Sequence, residues 1–137
     1  MKTYLKILLP IVFIVNTFLV KAQAHLGMSE KEIKAIYPNN LFTLKVEPDG
    51  ERFMYSNFDQ GCFYYYFGKT TELSYLCTQR PLNVVKMNGQ IEIYNKNYVI
   101  TSPKSWTAYF DNGEIMYIQL NFMSEKHISY FSYSATK

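Results

Sequence analysis

Apolar positions recur with two different spacings along this chain, and each spacing predicts a different element. Ser29 precedes an apolar stripe with a spacing of three to four residues, and Glu32 follows it, which is the capping-box pattern of a helix start. Pro38 ends the stripe, so the sequence predicts a helix over residues 29–37. A second stripe predicts a helix over residues 82–95. Its apolar positions are Val84, Met87, Ile91 and Tyr94.

Eight shorter segments instead alternate apolar and polar residues, which is typical of strands with one buried face. Turn signals separate them, and Asp111-Asn112-Gly113 is the strongest. Short strands joined by turns pair antiparallel, so the predicted fold class is α+β: an antiparallel sheet backed by two helices. The strands are predicted over residues 41–46, 52–57, 62–67, 72–79, 98–101, 105–110, 114–122 and 127–134.

The predicted order, one helix and then four strands, occurs twice. Local echoes keep the same order in both halves, at a nearly constant spacing along the chain. Such spacing suggests a tandem duplication of a helix-plus-four-strand unit, with chance matches among common residues as the alternative. The echoes are Ile36-Tyr37-Pro38-Asn39-Asn40 with Ile93-Tyr94-Asn95-Lys96-Asn97, Phe58-Asp59-Gln60-Gly61 with Phe110-Asp111-Asn112-Gly113, and Leu73-Ser74-Tyr75 with Ile128-Ser129-Tyr130.

The start of the chain, residues 1–24, has the pattern of a secretory signal peptide. Lysines lie within residues 1–6, an apolar run covers residues 7–20, and Ala22-Gln23-Ala24 matches a signal-peptidase site. The run is short for a membrane span, and no cysteine follows it to carry a lipid. We therefore expect residues 1–24 to be removed, residues 25–137 to form a single α+β domain, and the protein to be exported to the periplasm or the exterior.

Cleavage would change the charge of the chain. It removes Lys2, Lys6 and Lys21, so eleven basic and eleven acidic side chains remain and the formal charge falls from +3 to zero. The chain then lacks the basic patch that nucleic acid or an anionic membrane surface requires. The remaining domain is aromatic-rich, with twelve tyrosines, eight phenylalanines and Trp106. Tyrosine is favoured in strands and at recognition surfaces, so the tyrosines belong to the core or to a binding face, whereas Trp106 is expected in the core.

Cys62 and Cys77 are the two cysteines of the sequence. A turn centred between Lys69 and Thr70 would place them opposite each other on adjacent strands, within disulfide distance. The sequence therefore predicts a Cys62–Cys77 disulfide, which persists in exported proteins, with two reduced and buried thiols as the alternative.

The same register predicts a row of rings on one face of the sheet. Tyr64 would lie opposite Tyr75, and the preceding turn would place Tyr55 beside Tyr64 and Phe53 beside Tyr66. Tyr55, Tyr64, Tyr66 and Tyr75 are therefore the candidate binding residues. If the helices cover that face, the candidates become Phe63, Tyr65 and Phe67 on the opposite face.

Motifs for catalysis or cofactor binding are absent from the sequence. It contains no G-x-S-x-G, H-E-x-x-H, C-x-x-C or glycine-rich phosphate loop. The two histidines leave two alternatives: a nucleophile site with His127 near Ser129, and a copper site in which an N-terminal His25 joins His127. We expect no catalytic residue, no metal and no cofactor, and hence no enzyme.

Several stretches form an arrangement that resembles a known group. They are residues 26–33, 64–67, 82–85 and 95–99, together with Trp106 and Tyr109. The arrangement resembles small secreted, uncharacterised proteins of the Bacteroidetes, and it is distantly similar to the β-lactamase-inhibitor-protein-like fold, to which BamE is related. That fold implies a sheet backed by helices, and the inhibitor's aromatic sheet implies a protein-binding face. The role of BamE is not implied, because BamE is a lipoprotein and this chain lacks the lipid-accepting cysteine.

These patterns together predict an exported, non-enzymatic binding module. Its partner would be a protein or a cell-envelope component held by the tyrosine-rich face, and neither nucleic acid nor a membrane span remaining after cleavage is expected. The alternative is a glycan-binding domain that stacks sugars on the tyrosines, and a small enzyme comes third.

Overall fold

The computed structural model describes residues 24–136, which contain two α-helices. These are α1, Glu30–Ile36, and α2, Val84–Asn97. The predicted capping box of α1 is confirmed. The Ser29 hydroxyl accepts a hydrogen bond from the Glu32 N–H at 3.4 Å, and the Glu32 carboxylate accepts one from the Ser29 N–H at 2.8 Å. Local sequence chemistry therefore sets the start of α1.

Helix α2 begins two residues later than predicted. Asn83 is its N-cap, because the Asn83 side chain accepts a hydrogen bond from the Lys86 N–H at 2.9 Å. Leu82 consequently precedes the helix. The predicted apolar stripe is at least half-buried at its three later positions, but Val84, in the first turn, is 63% exposed.

All eight predicted strands are confirmed, with ends that differ by at most two residues, and they form one antiparallel sheet. The strands are β1 Thr43–Val46, β2 Arg52–Phe58, β3 Gly61–Phe67, β4 Ser74–Pro81, β5 Val99–Ser102, β6 Ser105–Tyr109, β7 Ile115–Met123 and β8 Ile128–Ser134. Their order across the sheet is β1-β2-β3-β4-β8-β7-β6-β5, so two four-stranded meanders join where β4 pairs with β8. The fold class is α+β, as the sequence predicts.

The two faces of the sheet differ in what covers them. One face packs against the helices and carries the core. Phe63, Tyr65 and Phe67 of β3 lie on this covered face and are at most 2% exposed. Ile33 of α1 and Tyr94 of α2 belong to the same core and are fully buried. The rings of the covered face therefore stabilise the fold and are not available to a partner.

Trp106 lies in the core, as the sequence predicts. Its ring is 2% exposed and packs 5.5 Å, centroid to centroid, from the ring of Tyr94. Its indole N–H donates a hydrogen bond to the Asn95 side chain at 2.8 Å. These two contacts hold α2 against β6, and the polar end of the indole is satisfied.

Buried hydrogen bonds provide a second attachment for α2. The Tyr133 hydroxyl donates to the side-chain oxygen of Gln79 at 2.6 Å, and the Gln90 amide donates to the same oxygen at 2.7 Å. The hydroxyls of Tyr94 and Tyr133 lie 2.8 Å apart. Burial raises the pKa of both tyrosines, so the network stays uncharged.

The predicted register is confirmed between β2 and β3 and wrong between β3 and β4. Tyr55 lies opposite Tyr64, as expected. Tyr64, however, lies opposite Thr78 and not opposite Tyr75, which is a shift of three residues. The physical reason is the connection: it spans residues 68–73, closed by a backbone hydrogen bond of 2.9 Å across its ends, and is not a four-residue turn.

The predicted disulfide is wrong for the same reason. Cys62 lies opposite Arg80, and Cys77 lies opposite Tyr65. Because side chains alternate between faces, a shift by an odd number of residues moves a strand's side chains to the other face. Cys77 therefore lies in the core while Cys62 lies on the uncovered face, and both thiols are free.

Candidate functional site

The face of the sheet that the helices leave uncovered, here called the open face, carries four half-buried rings. They are Phe53 and Tyr55 on β2 and Tyr64 and Tyr66 on β3, here called the ring cluster. The cross-strand pairs Tyr55–Tyr64 and Phe53–Tyr66 place them side by side. The alternation of β3 therefore divides its aromatic residues between the core and this surface.

The rings of the cluster contact one another. Tyr55 and Tyr64 are stacked with centroids 5.4 Å apart and planes inclined by 27°. Phe53 lies 5.5 Å from Tyr66 and 6.3 Å from Tyr64. These distances are in the range of favourable aromatic pairs, so neighbouring rings hold each other in place while remaining accessible on the outer side.

Tyr75 reaches the same end of the open face through a β-bulge. It is the extra residue of β4 at the point where the register shifts between Tyr66 and Phe67. It is 49% exposed, and its hydroxyl donates a hydrogen bond to the Glu51 carboxylate at 2.6 Å, which raises the pKa of Tyr75 to about 12. The four predicted binding tyrosines thus lie together, although the register that led to Tyr75 is wrong. Their role in binding stays a prediction.

The hydroxyl groups of Tyr64 and Tyr66 interact with neighbouring side chains. Burial and a hydrogen bond with the Cys62 thiol raise the pKa of Tyr64 to about 12. Burial also raises the pKa of Tyr66, against the opposite effect of a hydrogen bond with Thr78. Tyr64 and Tyr66 therefore offer ring surface and no charge at neutral pH. Charged side chains lie around the ring cluster, including Lys45 opposite Phe53.

Beyond the cluster, the middle of β4, β8 and β7 carries uncharged polar side chains on the open face. Thr78 on β4 lies opposite Ser132 on β8, which lies opposite Gln119 on β7. The Asn121 amide donates a hydrogen bond to the Ser132 hydroxyl at 2.9 Å. The centre of the open face thus presents hydroxyl and amide groups directly beside the rings.

A groove of about 230 Å³ lies at one end of the sheet, between the start of α2 and the turn before β8. It is here called the end groove. Its lining combines the cation of Arg80 with apolar side chains and includes no carboxylate. The residues used below are Arg80, Val84, Met87, His127, Ile128 and Ser129.

The two histidines occupy different environments. His25 is 4% exposed, and its Nε2 lies 2.8 Å from the Tyr37 hydroxyl. Burial lowers the pKa of His25 to about 4. His127 is exposed, has a left-handed backbone with φ of 51°, and lines the end groove. Within residues 24–136, no group of three or more His, Cys, Asp or Glu side chains is placed to hold a metal ion.

The sequence alone does not predict the end groove. The signal in the sequence is the pair of apolar residues Leu82 and Val85 beside the N-cap. In the structure both side chains are strongly exposed, at 66% and 74%. The stripe pattern instead assigned this region to the buried side of a helix. The groove itself depends on how α2 meets β8, which local sequence does not specify.

Comparison with known proteins adds no relationship, because no family model, no curated protein and no solved structure matches this chain. The resemblances drawn from the sequence therefore stay predictions. The predicted signal peptide lies outside the described residues except for Ala24. Among the helices of residues 24–136, none is long and apolar enough to cross a membrane.

Proposed function

We propose that this protein is an exported, non-enzymatic binding module, and that a protein or a cell-envelope component docks on its ring cluster. The observation that carries the proposal is the aromatic patch left uncovered on the open face, opposite a complete core. The rings are partly exposed and contiguous, and such aromatic surface surrounded by charged side chains is typical of interaction sites. Lys45 and Glu51 supply such charges beside the cluster.

Binding can be tested with two matched variants. The immobilised protein captures components of the native envelope fraction, and their affinity is measured after purification. The double variant Tyr55→Ala/Tyr64→Ala should weaken binding by about tenfold or more, because tyrosines at interface centres are frequent hot spots. Phe122→Ala is the control, since Phe122 is an exposed ring, 59% accessible, on the other side of the sheet.

The binding of the two variants can be compared only if both are folded. Thermal unfolding first establishes that both variants are folded at the assay temperature. Equal capture of the same components by the wild type and the double variant would refute docking on the ring cluster. Loss of capture in Phe122→Ala alone would place the interaction on the other side of the sheet.

Export is part of the proposal and rests on the sequence of residues 1–24. The intact mass of the protein recovered outside the cytoplasm should correspond to a chain that begins at Gln23 or His25. A mass that includes residues 1–20 would contradict removal of the segment.

A glycan is the second candidate ligand, and one observation favours it. The stacked rings of Tyr55 and Tyr64 adjoin neutral hydrogen-bonding groups, including Thr78 and Ser132, on the same face. Sugars combine apolar ring faces with hydroxyl groups, and this surface offers partners for both. Purified envelope polysaccharides should then compete with the captured component, whereas competition by deglycosylated protein alone would favour a protein partner.

We also propose that the two meanders descend from a duplicated unit similar to the β-lactamase-inhibitor-protein-like fold. The positions of the three sequence echoes support this. Residues 58–61 and 110–113 both join the second and third strands of their meanders, and residues 73–75 and 128–130 both begin or precede the fourth. Residues 36–40 and 93–97 likewise fall at the ends of α1 and α2.

A further inference from the structure

We propose that the end groove binds the C-terminal carboxylate and the apolar last side chain of a partner polypeptide. The groove shares no lining residue with the ring cluster, so the proposal does not depend on the proposed function, although Arg80 lies close enough to Tyr64 to act on it electrostatically. It rests on three properties of the groove: its charge, its apolar lining and its size.

The charge of the groove favours a carboxylate. Arg80 lines it and forms no ion pair with any carboxylate of residues 24–136. Ser129 and His127 add polar groups to the same lining. A guanidinium matches a carboxylate with two parallel N–H donors, and an unpaired one on a surface without acidic lining is electrostatically complementary to an anion.

The apolar lining argues against a simple inorganic anion. Val84, Met87 and Ile128 line the groove, and an ion bound at Arg80 would leave them uncovered. Leu82 and Val85 are exposed by 66% and 74% close to it in sequence. A chain end with an apolar last side chain supplies both an anion for Arg80 and an apolar group for the lining, because its carboxylate and its side chain are only two bonds apart. Capture of chain termini is an established mode of peptide recognition.

The size of the groove fits a chain end. Its volume is about 230 Å³, below the roughly 300–1,000 Å³ of pockets for drug-sized ligands. It therefore accommodates a terminal residue better than a whole cofactor. The residues that precede the terminus would extend over the exposed apolar side chains of Leu82 and Val85 at the start of α2.

The walls of the groove are held in place by the fold. The Leu82 N–H donates to the Gln60 carbonyl at 3.2 Å, and Asn83 caps α2. On the other wall, the His127 N–H donates to the Ser124 carbonyl at 3.3 Å. A preformed groove loses little conformational freedom on binding, which favours recognition of a short chain end.

The test uses two pools of fluorescein-labelled hexapeptides. Five positions are randomised and the last is Leu, Ile, Val or Phe; one pool has a free carboxylate and the other a C-terminal amide. Fluorescence anisotropy measures the dissociation constant of each pool with the folded protein. We expect the acid pool to bind at least about tenfold more tightly, because the amide lacks the charge that Arg80 recognises.

Two variants and two controls locate the interaction. Arg80→Gln should reduce binding of the acid pool to the level of the amide pool, while Lys104→Gln, with the same change of charge, should leave the difference intact. Val84→Glu should abolish binding of the acid pool by repulsion. A glutamate in the first turn of α2 is favourable to the helix, so this variant should remain folded. Phe53→Ala changes a ring opposite Tyr66, at the end of the cluster that is farther from Arg80, and should bind both pools as the wild type does.

Four results would overturn the proposal. They are equal binding of the two pools, no binding of either, a tenfold difference that persists in Arg80→Gln, and displacement of the acid pool by inorganic phosphate at millimolar concentration and constant ionic strength. The last result would mean that the groove recognises charge alone.

Discussion

His25 should make the stability of this protein depend on pH in a specific window. The side chain is 4% exposed, packs against Tyr37 and Tyr65, and has its pKa lowered from 6.5 to about 4 by burial. The folded state therefore binds the imidazole proton more weakly than the unfolded state does. Stability from the neutral His25 is complete above pH 6.5 and is lost as the pH falls towards 4.

The magnitude follows from the shift. Each pKa unit corresponds to about 1.4 kcal/mol of differential stability. A shift of this size removes about 2 kcal/mol from the free energy of unfolding by pH 5 and about 3 kcal/mol near pH 4. Domains of this size are stable by about 5–15 kcal/mol, so the effect is a large fraction of the total.

The assay is urea unfolding at pH 7, 6, 5 and 4 of a chain that begins at Gln23, so that His25 is internal, with wild type, His25→Gln and His127→Gln compared. Glutamine keeps a polar atom within reach of Tyr37 but does not titrate in this range. Relative to the wild type, His25→Gln should gain about 2 kcal/mol between pH 7 and pH 5. His127→Gln is the matched control, because it makes the same replacement at an exposed histidine.

The comparison separates His25 from the carboxylates, because those titrate in all three proteins. Parallel pH curves for His25→Gln and the wild type, with free energies of unfolding that differ by a constant amount from pH 7 to pH 4, would refute the reasoning. In that case the protonated imidazole would be accommodated in the folded protein without cost.

Three further predictions concern stability and the thiols. Gly61→Ala should destabilise the fold by about 2 kcal/mol or more, because a Cβ there would lie 2.1 Å from the Arg80 carbonyl oxygen at a backbone φ of +141°. Gly89→Ala should instead stabilise the fold by about 0.5–1 kcal/mol, because a Cβ at this position of α2 would meet open space. Denaturant unfolding measures the free energy of unfolding of both variants. Cys62 and Cys77 should both react with a maleimide in the denatured, unreduced protein, whereas Cys77 should be protected in the native protein. If the denatured, unreduced protein instead gave a single mass without label, that result would indicate a disulfide.

The elements of this fold could be predicted because their signals are local. The capping box at Ser29 and Glu32 involves four consecutive residues, and the structure reproduces it. The strands follow from alternation, and the register of β2 with β3 follows from a tight turn between Phe58 and Gly61. In each case the deciding interaction lies within a few residues along the chain.

The register of β3 with β4 could not be predicted for two physical reasons. Its connection requires Glu72 in a left-handed conformation, with φ of 56°, which residue type does not indicate. Both faces of β3 are also aromatic, so the usual rule that apolar side chains point inwards does not distinguish Tyr64 from Tyr65. Because Tyr75 is the extra residue of the bulge, it lies on the open face all the same. The four predicted binding tyrosines therefore lie together although the predicted register is wrong.

The pairing of β4 with β8 has a consequence for how the sheet assembles. Each meander is built from contacts between neighbouring segments, and such local contacts form faster than contacts between distant segments. The joint between them involves Leu76–Gln79 and Phe131–Ser134, which are far apart along the chain. During synthesis the edge of β4 therefore stays unpaired until β8, the last strand, has emerged. A nascent chain interrupted before β8 would expose a central strand to other chains, so the risk of aggregation is concentrated in that interval.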